Sequence, residues 1–287
     1  MTETIKLDKD LRSIQEVRNL VGRAREAQRA LARMTQEELD RITAAISRAG
    51  AEQAQRLAAM AVEETGYGKA EDKTIKNRFA ALTLYDAIKG ERTHGILAQD
   101  RERRTIDIGV PVGIVAGLVP STNPTSTVIY KAMICMKAGN PIIFSPHPSA
   151  VKCIGETVRV VSEAARQAGA PEGAIACIAT PTLEATNTLM RHHHTRLILA
   201  TGGGAMVKAA YSSGTPAIGV GAGNGPAYIH RTADVRQAVR RILDSKTFDN
   251  GTICASEQSI VVERAMEAAV TAELRAQGGY ILDDGEH

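Results

Sequence analysis

Tryptophan is absent and aromatic residues make up only 3% of the 287 positions, so any core this chain builds must be aliphatic. A hydrophobic content of 44% still supports a core of ordinary size. The four cysteines, Cys135, Cys153, Cys177 and Cys254, form no C-x-x-C pair and no disulfide framework, a usage that fits a reducing cytosol. No apolar run reaches membrane-spanning length, and the opening Met-Thr-Glu-Thr-Ile-Lys lacks the apolar stretch of a signal peptide. The expectation is a soluble cytoplasmic protein with no membrane partner. A net charge of +3 gives no reason to expect nucleic acid as a partner. The basic cluster Arg101, Arg103 and Arg104 reads either as solvated surface or as an attraction for a polyanion such as a nucleotide.

Residues 9 to about 90 read as helices. Ile14, Val17, Leu20 and Val21 recur at helical spacing. Thr35 followed by Glu38 has the form of a capping box. Further helices are expected over 51–64 and, in one piece, over 71–88. After Gly95 the texture changes. Residues 103–108 alternate as a strand, and from Ile114 onward short apolar runs alternate with helical segments, predicting strands at 114–119, 141–145, 175–179, 197–200 and 217–220. Alternation of this kind implies an α/β fold, a parallel sheet with helices on both faces. The domain expectation is a helical and dinucleotide-binding part over 1–245 and an incomplete second part over 246–287.

Candidate chemistry collects where predicted strands give way to helices. In Pro120-Ser121-Thr122-Asn123-Pro124, Asn123 reads either as a helix N-cap or as an amide donor to an oxyanion. Thr201-Gly202-Gly203-Gly204 reads as a tight turn or as a backbone cradle for phosphate. The glycines of 219–225 suggest that a ligand or another backbone lies close. Cys254, in the polar run Asn250-Gly251-Thr252-Ile253-Cys254-Ala255-Ser256, reads as a nucleophile or as an inert small hydrophobe. His192, His193 and His194 are adjacent and cannot all face one ion, so a solvated loop is expected and no metal.

Several runs together resemble the aldehyde dehydrogenase superfamily, and within it the CoA-acylating branch, including the aldehyde dehydrogenase half of bifunctional aldehyde-alcohol dehydrogenases. They are Val-Pro-Ser-Thr-Asn-Pro-Thr-Ser-Thr (119–127), Ile-Ile-Phe-Ser-Pro-His-Pro (142–148), Leu-Ala-Thr-Gly-Gly (199–203), Pro-Ala-Ile-Gly-Val-Gly-Ala-Gly-Asn (216–224) and Ser-Lys-Thr-Phe-Asp-Asn-Gly-Thr-Ile-Cys-Ala-Ser-Glu-Gln (245–258). The resemblance implies an aldehyde-dehydrogenase-like fold, N-terminal helices followed by a Rossmann-like sheet and the start of a second α/β catalytic domain. It implies Cys254 as nucleophile and Asn123 as oxyanion donor. Cofactor contacts are implied for Pro120, Ser121, Thr122, Ser145, His147, Pro148, Thr201, Gly202, Gly203, Val220 and Gly221. NAD is the implied dinucleotide, with NADP as the alternative, and CoA is the implied co-substrate. Hydrolysing members carry a glutamate base where this chain has Val220, 34 positions before Cys254, and valine cannot activate water. The implied reaction interconverts a short aldehyde and its acyl-CoA. Acetaldehyde is the expected substrate and sulfoacetaldehyde the alternative. A hydrolysing dehydrogenase and a non-catalytic nucleotide-binding remnant are the competing readings. The resemblance also implies a homo-oligomer, with the 103–108 strand part of an oligomerisation hairpin, and family members run longer, so a C-terminally truncated chain is expected.

Overall fold

A computed structural model describes residues 8–283 and 285–286. The chain divides into two compact units, the first running to Gly221 and the second beginning at Ala222.

The first unit opens with helices α1 (Lys9–Leu31), α2 (Gln36–Glu52), α3 (Ala54–Thr65), α4 (Ala70–Arg78) and α5 (Leu84–Ile88). In α1 the helical period buries Val17, Leu20, Val21, Ala24, Ala27 and Leu31 on one stripe. The capping box starts α2: Glu38 N donates to Thr35 Oγ1 at 3.3 Å, and Thr35 N donates to Glu38 Oε2 at 2.8 Å. The expected single helix over 71–88 is instead α4 and α5 joined by a π turn, Phe79–Thr83. The turn tucks Ala80 and Ala81 inward and leaves Phe79 exposed, and Ser47 Oγ donates to Ala81 O at 2.7 Å.

Next comes an antiparallel ribbon, β1 (Gly95–Asp100) and β2 (Thr105–Gly109). The expected strand at 103–108 begins only at Thr105, because Arg104 sits at φ 55° in the turn between the two strands. The α/β portion follows as β3 (Ile114–Val119), α6 (Pro124–Lys137), β4 (Ile142–Pro146), α7 (Val151–Gln167), β5 (Ile175–Cys177), α8 (Leu183–Arg191), β6 (Thr195–Thr201), α9 (Gly204–Tyr211) and β7 (Ala217–Val220). All five strands run parallel, in the order β5-β4-β3-β6-β7. Alternate residues of β3 feed opposite cores. Val115 and Val119 join α2, α6 and α7 side chains such as Ile42, Met133 and Ile154. Ile114, Ala116 and Leu118 join α1 and α8 side chains such as Val17, Leu20 and Leu189. Helices therefore cover both faces, and β3 reads as an unbroken buried run, as a doubly covered parallel strand should.

The second unit contains β8 (Gly225–Ile229), α10 (Val235–Thr247), β9 (Glu257–Val262) and α11 (Glu267–Ala276). β8 and β9 pair in parallel, and Ile229, Val239 and Val270 form a small core beneath them. β8 was not expected from the sequence.

Candidate active site

The chain builds β3, β4 and β5 outward in one direction, then crosses back and builds β6 and β7 in the other. The strand order therefore reverses between β3 and β6. In open parallel sheets, ligands bind beyond the carboxyl ends of the strands at such a reversal. The register aligns these ends: Leu118 lies beside Ala200, and Val119 beside Pro146. The rim at this end is Pro120 to Asn123 after β3, His147 and Pro148 after β4, Gly202 and Gly203 after β6, and Gly221 after β7. His147 N donates to Val119 O at 3.1 Å and Gly202 N to Val220 O at 3.2 Å, which tie neighbouring rim segments together.

The implied contact residues thus gather on one rim, with differences in exposure. Pro120 is buried, Ser121, Thr122 and Asn123 are half-buried, and His147, Pro148, Gly203 and Val220 are exposed. Ser145 lies deeper, 5% exposed, with its hydroxyl sharing a 2.8 Å hydrogen bond with Thr186. Thr201 Oγ1 lies 3.2 Å from the Tyr130 hydroxyl. Side chains built at Gly203 or Gly204 would meet nothing within 4 Å, so open space borders the start of α9. Backbone N–H groups at a helix start, flanked by open space, suit the phosphates of a dinucleotide.

Asn123 occupies the N-cap position of α6, but its side chain makes no cap hydrogen bond. Its Oδ1 instead accepts from Lys76 Nζ at 2.6 Å, and its Nδ2 donates to Thr122 Oγ1 at 3.2 Å. One turn earlier on α4, Lys73 Nζ donates to Thr122 O at 2.7 Å. Both lysines are buried, at 2% and 8% exposure. Next to them, Asn77 joins Ala54 O to the Thr125 hydroxyl. A third buried lysine, Lys131, lies under the β3–β6 junction, where Nζ donates to Leu118 O at 2.7 Å and Leu199 O at 2.8 Å. Burial pulls its ammonium down to about 7. None of these lysines was singled out from the sequence. A lone lysine inside the apolar run of 128–136 was the available signal for Lys131.

In the second unit, Cys254 is exposed, whereas Cys135 and Cys153 are buried and Cys177 is half-buried. Burial pushes the Cys135 and Cys177 thiols up to about 12 and raises that of Cys153 as well, so these three are held protonated. Cys254 lies between a short 3-10 turn, Phe248–Gly251, and the start of β9. That turn contains three successive left-handed residues, Asp249 (φ 51°), Asn250 (φ 54°) and Gly251 (φ 72°). Two of them carry side chains, at a cost of roughly 1–3 kcal/mol each. Asp249 is fully buried, and the Thr252 hydroxyl reaches its carbonyl at 2.7 Å and its carboxylate at 2.6 Å. The Gly223 backbone lies directly against the Cys254 carbonyl, leaving no room for a Cβ. The parallel register then continues with Gly225 beside Glu257.

His192 and His193 stack with ring centroids 4.5 Å apart, and the His194 ring is tilted against them at 5.6 and 4.0 Å, just before β6 and away from the rim. Burial, followed by the neighbouring histidines, lowers the His192 and His194 pKa values.

The sequence model of the aldehyde dehydrogenase family matches residues 7–278. The chain belongs to the aldehyde dehydrogenase family. It is 51% identical to the bifunctional aldehyde-alcohol dehydrogenase AdhE of Escherichia coli (strain K12) over 96% of this chain and 31% of that protein. An acetylating aldehyde dehydrogenase of Geobacillus thermoglucosidasius superposes with a TM-score of 0.94 at 57% identity, over 98% of this chain and 62% of that one. A propionaldehyde dehydrogenase of Rhodopseudomonas palustris, solved with bound CoA and an acylated cysteine, gives a TM-score of 0.79 at 32% identity, over 94% of this chain and 61% of that one. The chain therefore spans about a third of the bifunctional relative and under two thirds of these solved dehydrogenases. Among the described residues, no helix is long and apolar enough to cross a membrane.

Proposed function

We propose that this protein is a CoA-acylating aldehyde dehydrogenase that interconverts acetaldehyde, CoA and NAD with acetyl-CoA and NADH. The observation that carries this is Cys254, an exposed thiol that follows a strained turn, with its backbone carbonyl against the Gly223 backbone. The Cys254 thiolate attacks the aldehyde carbon, and the carbonyl oxygen becomes an alkoxide. By the family resemblance, the Asn123 amide and the Cys254 backbone N–H are the expected donors to that alkoxide. When bound, the dinucleotide accepts a hydride from the same carbon, and Cys254 is left as a thioester. The CoA thiol, as its thiolate, then displaces Cys254 and carries off the acyl group. Val220 supports CoA over water as acceptor, since no carboxylate base stands at that position. The similarity to acetylating and CoA-bound enzymes supports the same reading.

The test is NADH formation by the full-length gene product with acetaldehyde, with and without CoA, with sulfoacetaldehyde and NADP as comparison arms. CoA dependence is expected, together with complete loss in Cys254→Ala. Turnover indifferent to CoA, or intact in Cys254→Ala, would overturn the proposal.

A further inference from the structure

An asparagine amide has a donor end and an acceptor end, and its neighbours decide which way it faces. If Asn123 is to stabilise an oxyanion, Nδ2 must face the reacting carbon. With the amide reversed, Oδ1 would face the alkoxide and repel it. The hydrogen bond that would ordinarily orient such a residue, donated by a backbone N–H of its own helix to the N-cap side chain, is not made. Besides the Thr122 hydroxyl, which accepts from Nδ2 at 3.2 Å, a partner from another helix orients this amide. Lys76 Nζ, 8% exposed, lies 2.6 Å from Asn123 Oδ1. An ammonium only donates, so it can pair with Oδ1 and never with Nδ2. Lys73, one turn away on the same face of α4, holds the preceding carbonyl, Thr122 O, at 2.7 Å. Together the two lysines fix both the backbone and the side-chain amide of the loop. Burying two cations behind one four-residue loop carries a desolvation cost that a surface-packing role does not require. The same positive charge favours a developing alkoxide on the far side of the amide.

We propose that Lys76 is a positioning residue for the aldehyde chemistry, acting by locking the Asn123 amide with its N–H₂ toward the reacting carbonyl; this rests on the reading of Asn123 as the oxyanion donor. Lys76 acts through its hydrogen bond to Asn123, so the two residues should be non-additive.

The experiment is a double-mutant cycle on the full-length gene product. Lys76→Met is expected to lower kcat about tenfold or more, a sizeable part of the ~100-fold that losing an oxyanion donor costs. KM for the aldehyde should stay within about twofold, since the interaction matters only in the transition state. Lys76→Arg should recover part of the loss. In an Asn123→Ala background, Lys76→Met should cause no further loss. An additive loss in that background, or an unchanged kcat in Lys76→Met where Asn123→Ala is impaired, overturns the inference and leaves the role of Asn123 standing. An unchanged kcat in Asn123→Ala overturns that role and the inference with it. A readout independent of turnover is the Asn123 side-chain amide in ¹⁵N-labelled protein. Its resonances should move in Lys76→Met and return toward their original positions in Lys76→Arg; resonances unmoved in Lys76→Met also overturn the inference.

Discussion

Replacing Gly223 with alanine should displace Cys254, the proposed nucleophile, without touching it. Gly223 is not among the positive-φ residues, so alanine meets no conformational barrier there, only a steric one. A Cβ at this position would lie inside the van der Waals envelope of the Cys254 carbonyl oxygen, with the Cys254 carbonyl carbon next nearest. Both obstructing atoms are backbone and cannot rotate away. To restore an ordinary contact of ~3.5 Å the two segments must part by on the order of 1 Å. The start of the β8–β9 pairing, at Gly225 and Glu257, lies only two and three residues further along and resists that movement. Overpacking of this kind typically costs ~1–3 kcal/mol of stability. A nucleophile moved by ~1 Å can lose ~100-fold in rate. The assay pairs thermal melting with kcat for acyl-CoA formation. Gly155→Ala in α7 makes the same chemical change where a Cβ would meet nothing within 4 Å. It should stabilise by roughly 0.5–1 kcal/mol. If Gly223→Ala melted and turned over like the parent protein, the reasoning would be refuted.

Two further outcomes test the fold beneath the site. Thr35→Ala removes one half of the α2 capping box and should cost ~1 kcal/mol, read as a lower denaturant midpoint with an unchanged slope. Lys131 holds its proton up to about 7 when folded, against 10.5 as its ordinary value. Between these limits the unfolded chain binds the extra proton, so this residue makes stability rise with pH across that window. Thermal melts at pH 7 and pH 9 should show the parent gaining stability relative to Lys131→Met, and parallel behaviour of the two would remove burial as the cause.

The parts legible in the sequence were those set by local chemistry. Thr35 and Glu38 define the start of α2, and the short apolar runs at 114–119 and 217–220 give β3 and β7 at their observed limits. Strand-to-helix junctions at Asn123 and Gly203 were visible because Pro124 and the glycines punctuate them. What escaped depends on distant partners. β8 contains Gly225 and Pro226, poor strand formers, and becomes a strand only through pairing with β9. The π turn at Phe79–Thr83 has the same composition as a plain helix. Lys73 and Lys76 have the sequence context of surface lysines. They are buried because they meet the loop at Thr122 and Asn123, 49 and 47 positions further along the chain. Spacing alone could not choose between cap and donor for Asn123, and the missing cap bond is a fact of three dimensions.

The uneven burial of the four thiols has a practical consequence. With Cys135 and Cys153 buried, Cys177 half-buried and all three thiols held protonated, an alkylating label applied at neutral pH reacts first at exposed Cys254. Labelling beyond one thiol per molecule then reports opening of the first unit, before any substrate is added. The chain thus carries its own reporter thiol, with no engineered cysteine.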